Sequence, residues 1–252
     1  MDHHPRNASG RALNVTVLPD ADAASAAVAE KILSTVRVKP ASVLGLATGQ
    51  TPRRVYARLL AAVAKGEISF AEVTTFNLDE YCGLAGMHAD SFASYMHREL
   101  FGKAGFDPRK INLIDGAARD ESAEAERYAG LLAQHSIDQQ LLGIGTNGHI
   151  GFNEPGSSST SRVRVVELSQ KTLEANQPTL IELENVPTHA ITMGIADILD
   201  AREIVILATG EAKAEAVRRS LRETPDDACP ASHLAAHGNV NWVLDEAAAM
   251  LL

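Results

Sequence analysis

The chain has 252 residues, of which 45% are hydrophobic and 22% charged, and its formal net charge is −9. This composition is typical of a globular protein with a sizeable core, and the acidic balance argues against nucleic acid as the main partner. No apolar stretch is long enough to span a bilayer, and Cys82 and Cys229 are too few for a disulfide framework. We therefore expect a cytoplasmic protein with reduced thiols and no membrane partner.

Apolar, β-branched segments that predict strands recur between segments with helical periodicity. Predicted strands cover residues 15–18, 43–47, 73–78, 111–114, 141–144, 190–193, 204–208 and 240–244. Predicted helices cover residues 22–36, 51–65, 91–100, 121–134, 197–201, 211–220 and 232–237, and Asp20 or Asp22 is the expected cap of the first. Because continuously apolar strands alternate with helices, we predict an α/β fold with a parallel sheet covered on both faces.

The chain contains no internal repeat and no linker long enough to divide it. We therefore expect a flexible N-terminus at residues 1–12 and a single domain over residues 13–252. Residues 177–186 follow no clear period, and we interpret them as a mobile flap within a lid near residues 160–187.

The most informative segment is a glycine-rich turn at residues 143–155, with the sequence Gly-Ile-Gly-Thr-Asn-Gly-His-Ile-Gly-Phe-Asn-Glu-Pro. Glycine allows the backbone to turn sharply and to approach a ligand closely. His149 and Glu154 are residue types that transfer protons near neutral pH. A solvated histidine in a tight turn is the alternative, but Asn147 and Asn153 crowd into the same segment. This crowding favours a functional site.

A second candidate segment, residues 46–52, lies between a predicted strand and a predicted helix and reads Leu-Ala-Thr-Gly-Gln-Thr-Pro. Thr48, Gly49 and Thr51 supply hydroxyls and a close backbone approach. The free amides and the positive dipole end of the helix start favour a phosphate group. The alternative is a capped helix, because Thr51 before Pro52 is also a good cap.

A pair of acids, Asp79 and Glu80, follows a third strand. In extended backbone the two point to opposite faces, so we expect only one to enter a site, and the alternation of Phe76 and Leu78 favours Asp79. A partly desolvated carboxylate can remove a carbon-bound proton beside a carbonyl. A solvated acid in a turn is the alternative.

Lys213, in the segment Thr-Gly-Glu-Ala-Lys, follows a fourth strand. A lysine is unfavourable near a helix N-terminus, which favours a role in binding an anion over a purely exposed position. The carboxyl ends of parallel strands lie on one edge of a sheet, so we expect the four segments to converge there.

Taken with Val-Pro-Thr-His-Ala-Ile at residues 186–191, these segments resemble the glucosamine-6-phosphate deaminase (isomerase) family over residues 43–246. The related 6-phosphogluconolactonases share a Gly-His-Ile turn, but the continuation Phe-Asn-Glu-Pro at residues 152–155 is similar to the deaminases. The resemblance implies a Rossmann-like three-layer α/β/α sandwich with a mostly parallel central sheet.

The resemblance also implies the conversion of glucosamine 6-phosphate and water into fructose 6-phosphate and ammonia, without a cofactor or metal. Asp79 matches the base that moves the C2 proton, and His149 matches the residue that opens the sugar ring with help from Glu154. Asn147 stands where part of the family carries an aspartate that orients this histidine, and an amide can hydrogen-bond an imidazole. The residues that match the phosphate cradle are Thr48, Gly49, Gln50, Thr51 and Lys213.

Two features leave the substrate and its control open. The family usually has an arginine and a Phe-Phe pair after Ala175-Asn176, whereas this chain reads Gln-Pro-Thr-Leu at residues 177–180, so it lacks a bidentate phosphate donor. The chain also lacks the longer tail of allosteric members after residues 240–246. The alternatives are a galactosamine-6-phosphate deaminase, a 6-phosphogluconolactonase and a non-catalytic sugar-phosphate sensor. The sequence does not decide whether the chain forms a homo-oligomer.

Overall fold

A computed structural model describes residues 14–84, 88–168 and 186–252 of the chain. The predicted flexible N-terminus lies outside these ranges, as does the predicted flap except for Val186. Of the predicted lid near residues 160–187, only its two flanks are described, so the lid stays a prediction.

The described chain contains ten strands: β1 (Asn14–Leu18), β2 (Val43–Leu46), β3 (Thr74–Asn77), β4 (Asp79–Tyr81), β5 (Ile111–Asn112), β6 (Gln139–Leu142), β7 (Arg164–Glu167), β8 (His189–Thr192), β9 (Ile204–Ala208) and β10 (Val240–Asp245). The α-helices of the same part are α1 (Ala21–Val38), α2 (Arg53–Ala64), α3 (Phe92–Met96), α4 (Gly102–Ala104), α5 (Glu121–Leu132), α6 (Ile195–Leu199), α7 (Ala214–Arg222) and α8 (Glu246–Ala249). A π-helical turn, His97–Phe101, joins α3 to α4.

Seven strands form a parallel central sheet in the order β1-β10-β9-β6-β2-β3-β5. Every residue of β2, β6 and β9 is buried, although neighbouring side chains point to opposite faces. Both faces of the sheet are therefore covered, and the predicted α/β fold with a mostly parallel central sheet is confirmed.

A smaller sheet of three antiparallel strands, in the order β4-β8-β7, packs beside the central one. The apolar run at residues 190–193 was expected to join the parallel sheet. It instead forms β8, whose Thr192 pairs with Asp79 of β4. The sequence did not predict β4 or β7. A period of two identifies an extended segment, but it does not identify the partner strand.

The predicted helices are present with shifted ends, and local contacts explain most of the differences. The Asp20 side chain caps α1 by accepting from the Ala23 N–H at 2.8 Å, which confirms one of the two expected caps. Helix α2 begins after Pro52, and no side chain caps it. The helix predicted at residues 211–220 is a short 3₁₀ turn, Glu211–Lys213, that continues as α7. Residues 230–236 are also 3₁₀ rather than α-helical.

The strand order places a crevice at the middle of the sheet. From β2 the chain proceeds to β3 and β5 on one side, whereas β6, β9 and β10 extend the sheet on the other. Such a reversal is the place where open parallel sheets bind ligands, at the carboxyl ends of the strands.

Candidate active site

The four candidate segments follow four strands that are neighbours in the sheet. Thr48 follows β2, Asp79 follows β3, His149 follows β6 and Lys213 follows β9, and these strands are contiguous in the order β9-β6-β2-β3. All four strands are parallel, so the segments emerge at the same edge. The structure thus brings the four predicted segments to the crevice edge.

The glycine-rich turn after β6 holds His149 in a tight backbone loop. The Gly145 N–H donates to the His149 carbonyl at 2.9 Å, and the Gly148 N–H donates to the Gly145 carbonyl at 3.0 Å. Gly148 and Gly151 have φ angles of +88° and +57°, a region that favours glycine. A Cβ on Gly145 would lie 2.3 Å from the His149 ring, so the imidazole packs directly over this glycine.

Three side chains of this turn form a chain of contacts. Nδ1 of His149 lies 3.3 Å from Oε1 of Glu154, within ion-pair distance but without the alignment of a hydrogen bond. The Asn147 amide donates to Oε2 of Glu154 at 2.7 Å, and its Oδ1 accepts from the backbone N–H of His149 at 3.2 Å. Asn147 was expected to act on the imidazole. Its side chain instead holds Glu154, which in turn faces the ring.

The two adjacent acids have separate environments. Asp79 is 7% exposed at the start of β4. Glu80 is also buried, and its carboxylate accepts from the backbone N–H groups of Tyr81, Phe92 and Ala93 at 2.8–2.9 Å. The Glu80 carboxylate is therefore occupied by backbone donors around the start of α3. That Asp79 is the acid that meets a ligand stays a prediction.

Burial changes the protonation of both acids. Desolvation, and then the charge of neighbouring Glu80, raises the pKa of Asp79 to about 8. Desolvation also raises the pKa of Glu80, to about 7, against the opposing effect of its three N–H donors. A carboxylate with a raised pKa is a stronger base than an ordinary surface acid.

Gly151 brings Asp79 and the His149 turn together. A Cβ on Gly151 would lie 3.2 Å from Oδ2 of Asp79 and 3.1 Å from Oγ1 of Thr192. The same Thr192 hydroxyl accepts from the Phe152 N–H at 3.2 Å. The buried acid therefore lies against the backbone that carries His149, and this glycine leaves room for the approach.

The segment after β2, residues 46–52, which we call the phosphate loop, has a positive φ angle of +112° at Gly49. The Gly49 carbonyl accepts from the Tyr95 hydroxyl at 2.6 Å. Within the described ranges, the hydroxyls of Thr48 and Thr51 make no protein hydrogen bond, so Thr51 does not serve as the alternative helix cap.

Lys213, at the start of α7, is partly buried. Burial lowers the pKa of its ammonium group. No carboxylate of the described residues lies within ion-pair distance of it. A half-buried ammonium group without a carboxylate partner is suited to a ligand anion.

Sequence reasoning missed the roles of Glu80, Tyr95 and Thr192, which all act across distant parts of the chain. No local spacing indicates that the Tyr95 hydroxyl meets Gly49, because the two are 46 positions apart. Across the described ranges, no cluster of His, Cys, Asp and Glu has the geometry to hold a metal ion. Within the same ranges, no helix has the length and apolar character to cross a bilayer.

Comparison with known proteins agrees with this geometry. Residues 19–242 match the family of glucosamine-6-phosphate isomerases and 6-phosphogluconolactonases. The chain belongs to this family. Among curated members, the glucosamine-6-phosphate deaminase of Rhodopirellula baltica is 52% identical and covers 95% of this chain and 96% of its own length. That of Shewanella loihica is 46% identical and covers 95% of this chain and 90% of its own length.

Solved structures of family members extend the comparison to the fold. A monomeric glucosamine-6-phosphate deaminase superposes with a TM-score of 0.91 at 40% identity, covering 95% of this chain and all of its own. The 6-phosphogluconolactonase of Trypanosoma brucei superposes with a TM-score of 0.76 at 24% identity, over 95% of this chain and 98% of its own. The second likeness supports the Rossmann-like architecture and nothing finer.

Proposed function

We propose that this family member is an enzyme that converts glucosamine 6-phosphate and water into fructose 6-phosphate and ammonia. The relatives that match at 42–52% identity along most of the chain carry this activity in their names. The observation that carries the proposal is the approach of Asp79 to Gly151, which sets a buried base against the His149 turn.

His149 and Glu154 are suited to opening the sugar ring. Ring opening moves a proton from the C1 hydroxyl to the ring oxygen, and imidazole can accept a proton from one oxygen and donate it to the other. Glu154 faces the imidazole at 3.3 Å and is held by Asn147, so it orients the ring. The product of this step is the open-chain aldehyde.

Asp79 is suited to the enolisation that follows. Its carboxylate takes the C2 proton of the open-chain amino sugar as the aldehyde oxygen gains a proton, which gives an enolamine. Return of the proton from Asp79 to C1 and loss of a proton from nitrogen leave an imine at C2. Water then adds to this imine and ammonia departs, which leaves the ketone of fructose 6-phosphate. The desolvated environment of Asp79 supplies the basicity that abstraction from carbon requires.

The phosphate group of the substrate is assigned to the phosphate loop and Lys213. Thr48, Gly49, Gln50 and Thr51 lie at the start of α2, where free N–H groups and the helix dipole favour an anion. Lys213 adds a positive charge that compensates locally for the net charge of −9. We also propose a cytoplasmic location, since both cysteines are free and buried.

The test is ammonia release from glucosamine 6-phosphate and galactosamine 6-phosphate side by side, with hydrolysis of 6-phosphogluconolactone as a third assay. We expect ammonia chiefly from glucosamine 6-phosphate. Asp79→Asn should reduce this activity by about 10²- to 10⁴-fold, whereas a lactonase, which has no C2 proton to move, would retain much of its activity.

Asp138→Asn is the matched control. Asp138 precedes β6 at the opposite edge of the sheet, where it accepts from the Val43 N–H at 2.8 Å. We expect this variant to release ammonia at the wild-type rate. If the wild-type chain releases no ammonia from either amino sugar, the proposed function is wrong.

A further inference from the structure

Helix α3 connects Glu80, which directly follows the proposed base Asp79, to the phosphate loop. We propose that Glu80 and Tyr95 are positioning residues, which fix the two ends of this connection and thereby set the direction of the donors for the substrate phosphate. The inference rests on the proposed function for the identity of its ligand, an organic phosphate. Neither residue needs to touch the substrate.

The Tyr95 end is a hydrogen bond from a buried side chain to the backbone of a glycine. Tyr95 is 6% exposed, and its hydroxyl donates to the Gly49 carbonyl at 2.6 Å. Gly49 has a φ angle of +112°, which side-chain-bearing residues rarely adopt. A glycine in this region moves easily between backbone conformations. A hydrogen bond from a buried tyrosine to its carbonyl therefore restricts the peptide to one conformation.

Fixing this carbonyl also fixes a donor. The Gly49 carbonyl and the Gln50 N–H belong to one planar trans peptide and point in opposite directions. Tyr95 therefore holds the Gln50 N–H on the side of the peptide plane away from itself. Within the described ranges this N–H donates no hydrogen bond to the protein, so it remains available to a ligand anion.

A second connection joins the same loop to the same helical region. Arg53 donates to the Gln50 side-chain oxygen at 3.2 Å and to Oε1 of Glu99 at 3.2 Å. Glu99 lies in the π-helical turn that continues α3, and Arg98 also donates to its Oε1 at 3.0 Å. The phosphate loop is thus attached to this region at two consecutive residues.

The Glu80 end attaches α3 to the strand that carries the base. Oε1 of Glu80 accepts from the N–H groups of Tyr81 and Phe92 at 2.9 Å, and Oε2 accepts from that of Ala93 at 2.8 Å. Phe92 and Ala93 are the first two residues of α3. Since Glu80 directly follows Asp79, the helix spans from the base to the phosphate loop.

This arrangement suits a substrate with reacting carbon and phosphate at opposite ends. C2 must meet Asp79 while the phosphate is bound, and the phosphate itself keeps the same contacts in the ground state and in the transition state. A rigid connection between the two subsites maintains that spacing. Its loss should weaken phosphate binding more than it slows the chemical step.

The first experiment measures the dissociation constant of inorganic phosphate by calorimetry for the wild-type chain and Tyr95→Phe. We expect the variant to bind about five- to tenfold more weakly, as loss of one buried hydrogen bond implies. Its KM for glucosamine 6-phosphate should rise by a similar factor, with kcat within about twofold of wild type.

Tyr128→Phe is the control, because the Tyr128 hydroxyl makes a buried bond of the same length, 2.6 Å, to the Asn77 carbonyl of β3 rather than to a residue of the phosphate loop. This variant should lose stability but keep its phosphate affinity. Equal losses of affinity in both tyrosine variants, or none in Tyr95→Phe, would overturn the inference.

The second experiment adds Glu80→Gln and the double variant. A glutamine side chain has one accepting oxygen instead of two, so part of the hydrogen bonding that holds the start of α3 is lost. If both residues act through one helix, their effects on phosphate affinity should be less than additive. Full additivity would overturn the connection.

If wild type binds phosphate and Tyr95→Phe weakens it while no ammonia is released, the proposed function fails and this inference stands. A wild-type chain that binds neither phosphate nor glucosamine 6-phosphate overturns both.

Discussion

The side-chain amide of Asn147 donates to Oε2 of Glu154 over 2.7 Å, and the other oxygen of that carboxylate faces the His149 ring at 3.3 Å. We therefore expect Asn147 to act on the imidazole through Glu154 rather than by direct contact. A neutral amide can hold this carboxylate without the repulsion that a second acid would introduce at the same distance.

Asn147→Ala should lower kcat without raising KM, because Glu154 loses the donor that fixes its orientation. We expect a fall of about tenfold, comparable to the loss of one hydrogen bond to a charged group. Steady-state ammonia release measures both constants. Asn239→Ala, in the exposed turn before β10 at the opposite sheet edge, is the control and should match wild type. An unchanged kcat in Asn147→Ala would contradict the role of the amide.

The activity should increase with pH until Asp79 is ionised. Burial raises the pKa of Asp79 to about 8, and only the carboxylate form can take the C2 proton. We therefore expect kcat to rise through neutral pH and to level off above about 8. A pH–rate profile of the wild-type chain checks this. An acidic limb centred near an ordinary carboxyl pKa would show that Asp79 is not the titrating base.

The same carboxyl should reduce stability as the pH rises. In the unfolded chain Asp79 ionises near its ordinary pKa of 3.8, whereas in the folded protein burial raises this pKa to about 8. The folded state therefore binds more protons between these values, and the free energy of unfolding falls across this window. Asp79→Asn removes this effect, so its melting temperature relative to wild type should increase from acidic to slightly alkaline pH.

Gly145→Ala should displace the His149 ring while leaving the histidine itself unchanged. The added Cβ would lie 2.3–2.5 Å from atoms of the imidazole, so the ring must move. We expect loss of most deaminase activity with little loss of phosphate affinity, since the phosphate loop is not part of this turn. Gly130→Ala, where a Cβ meets nothing within 4 Å, is the control. Calorimetry and ammonia release on both variants provide the comparison.

Lys213→Met should weaken recognition of the phosphate and stabilise the ligand-free protein. We expect the KM for glucosamine 6-phosphate to rise by about 10- to 100-fold, as loss of one ionic hydrogen bond implies. Burial lowers the pKa of this lysine, so the folded state disfavours its charge at neutral pH. The methionine variant should therefore melt at a higher temperature without ligand. A lower melting temperature would indicate that Lys213 supports the fold instead.

Features that depend on neighbouring residues were predictable from the sequence. The alternation of apolar strands and helices predicted the α/β class, and the Asp20 cap required only the next three positions. The four strand ends were identifiable because glycine and polar residues interrupt apolar runs there. Their convergence followed from the single rule that parallel strands share a carboxyl edge.

Features that depend on partners far along the chain required the tertiary structure. The apolar run of β8 has the same pattern whether its neighbour is parallel or antiparallel, and only packing placed it beside Asp79. Tyr95 has no local signal that connects it with Gly49.

The sequence by itself determined which chemical groups this protein presents: an acid, an imidazole, an amide and a lysine, each at the end of a strand. The tertiary structure decided which of them lie in contact. It buried Asp79 against Gly151, joined the Glu80 carboxylate to the start of α3 by hydrogen bonds, and placed Glu154 between Asn147 and His149. The physical reason is that composition fixes the available donors and acceptors, whereas desolvation and hydrogen-bond geometry depend on contacts between distant segments.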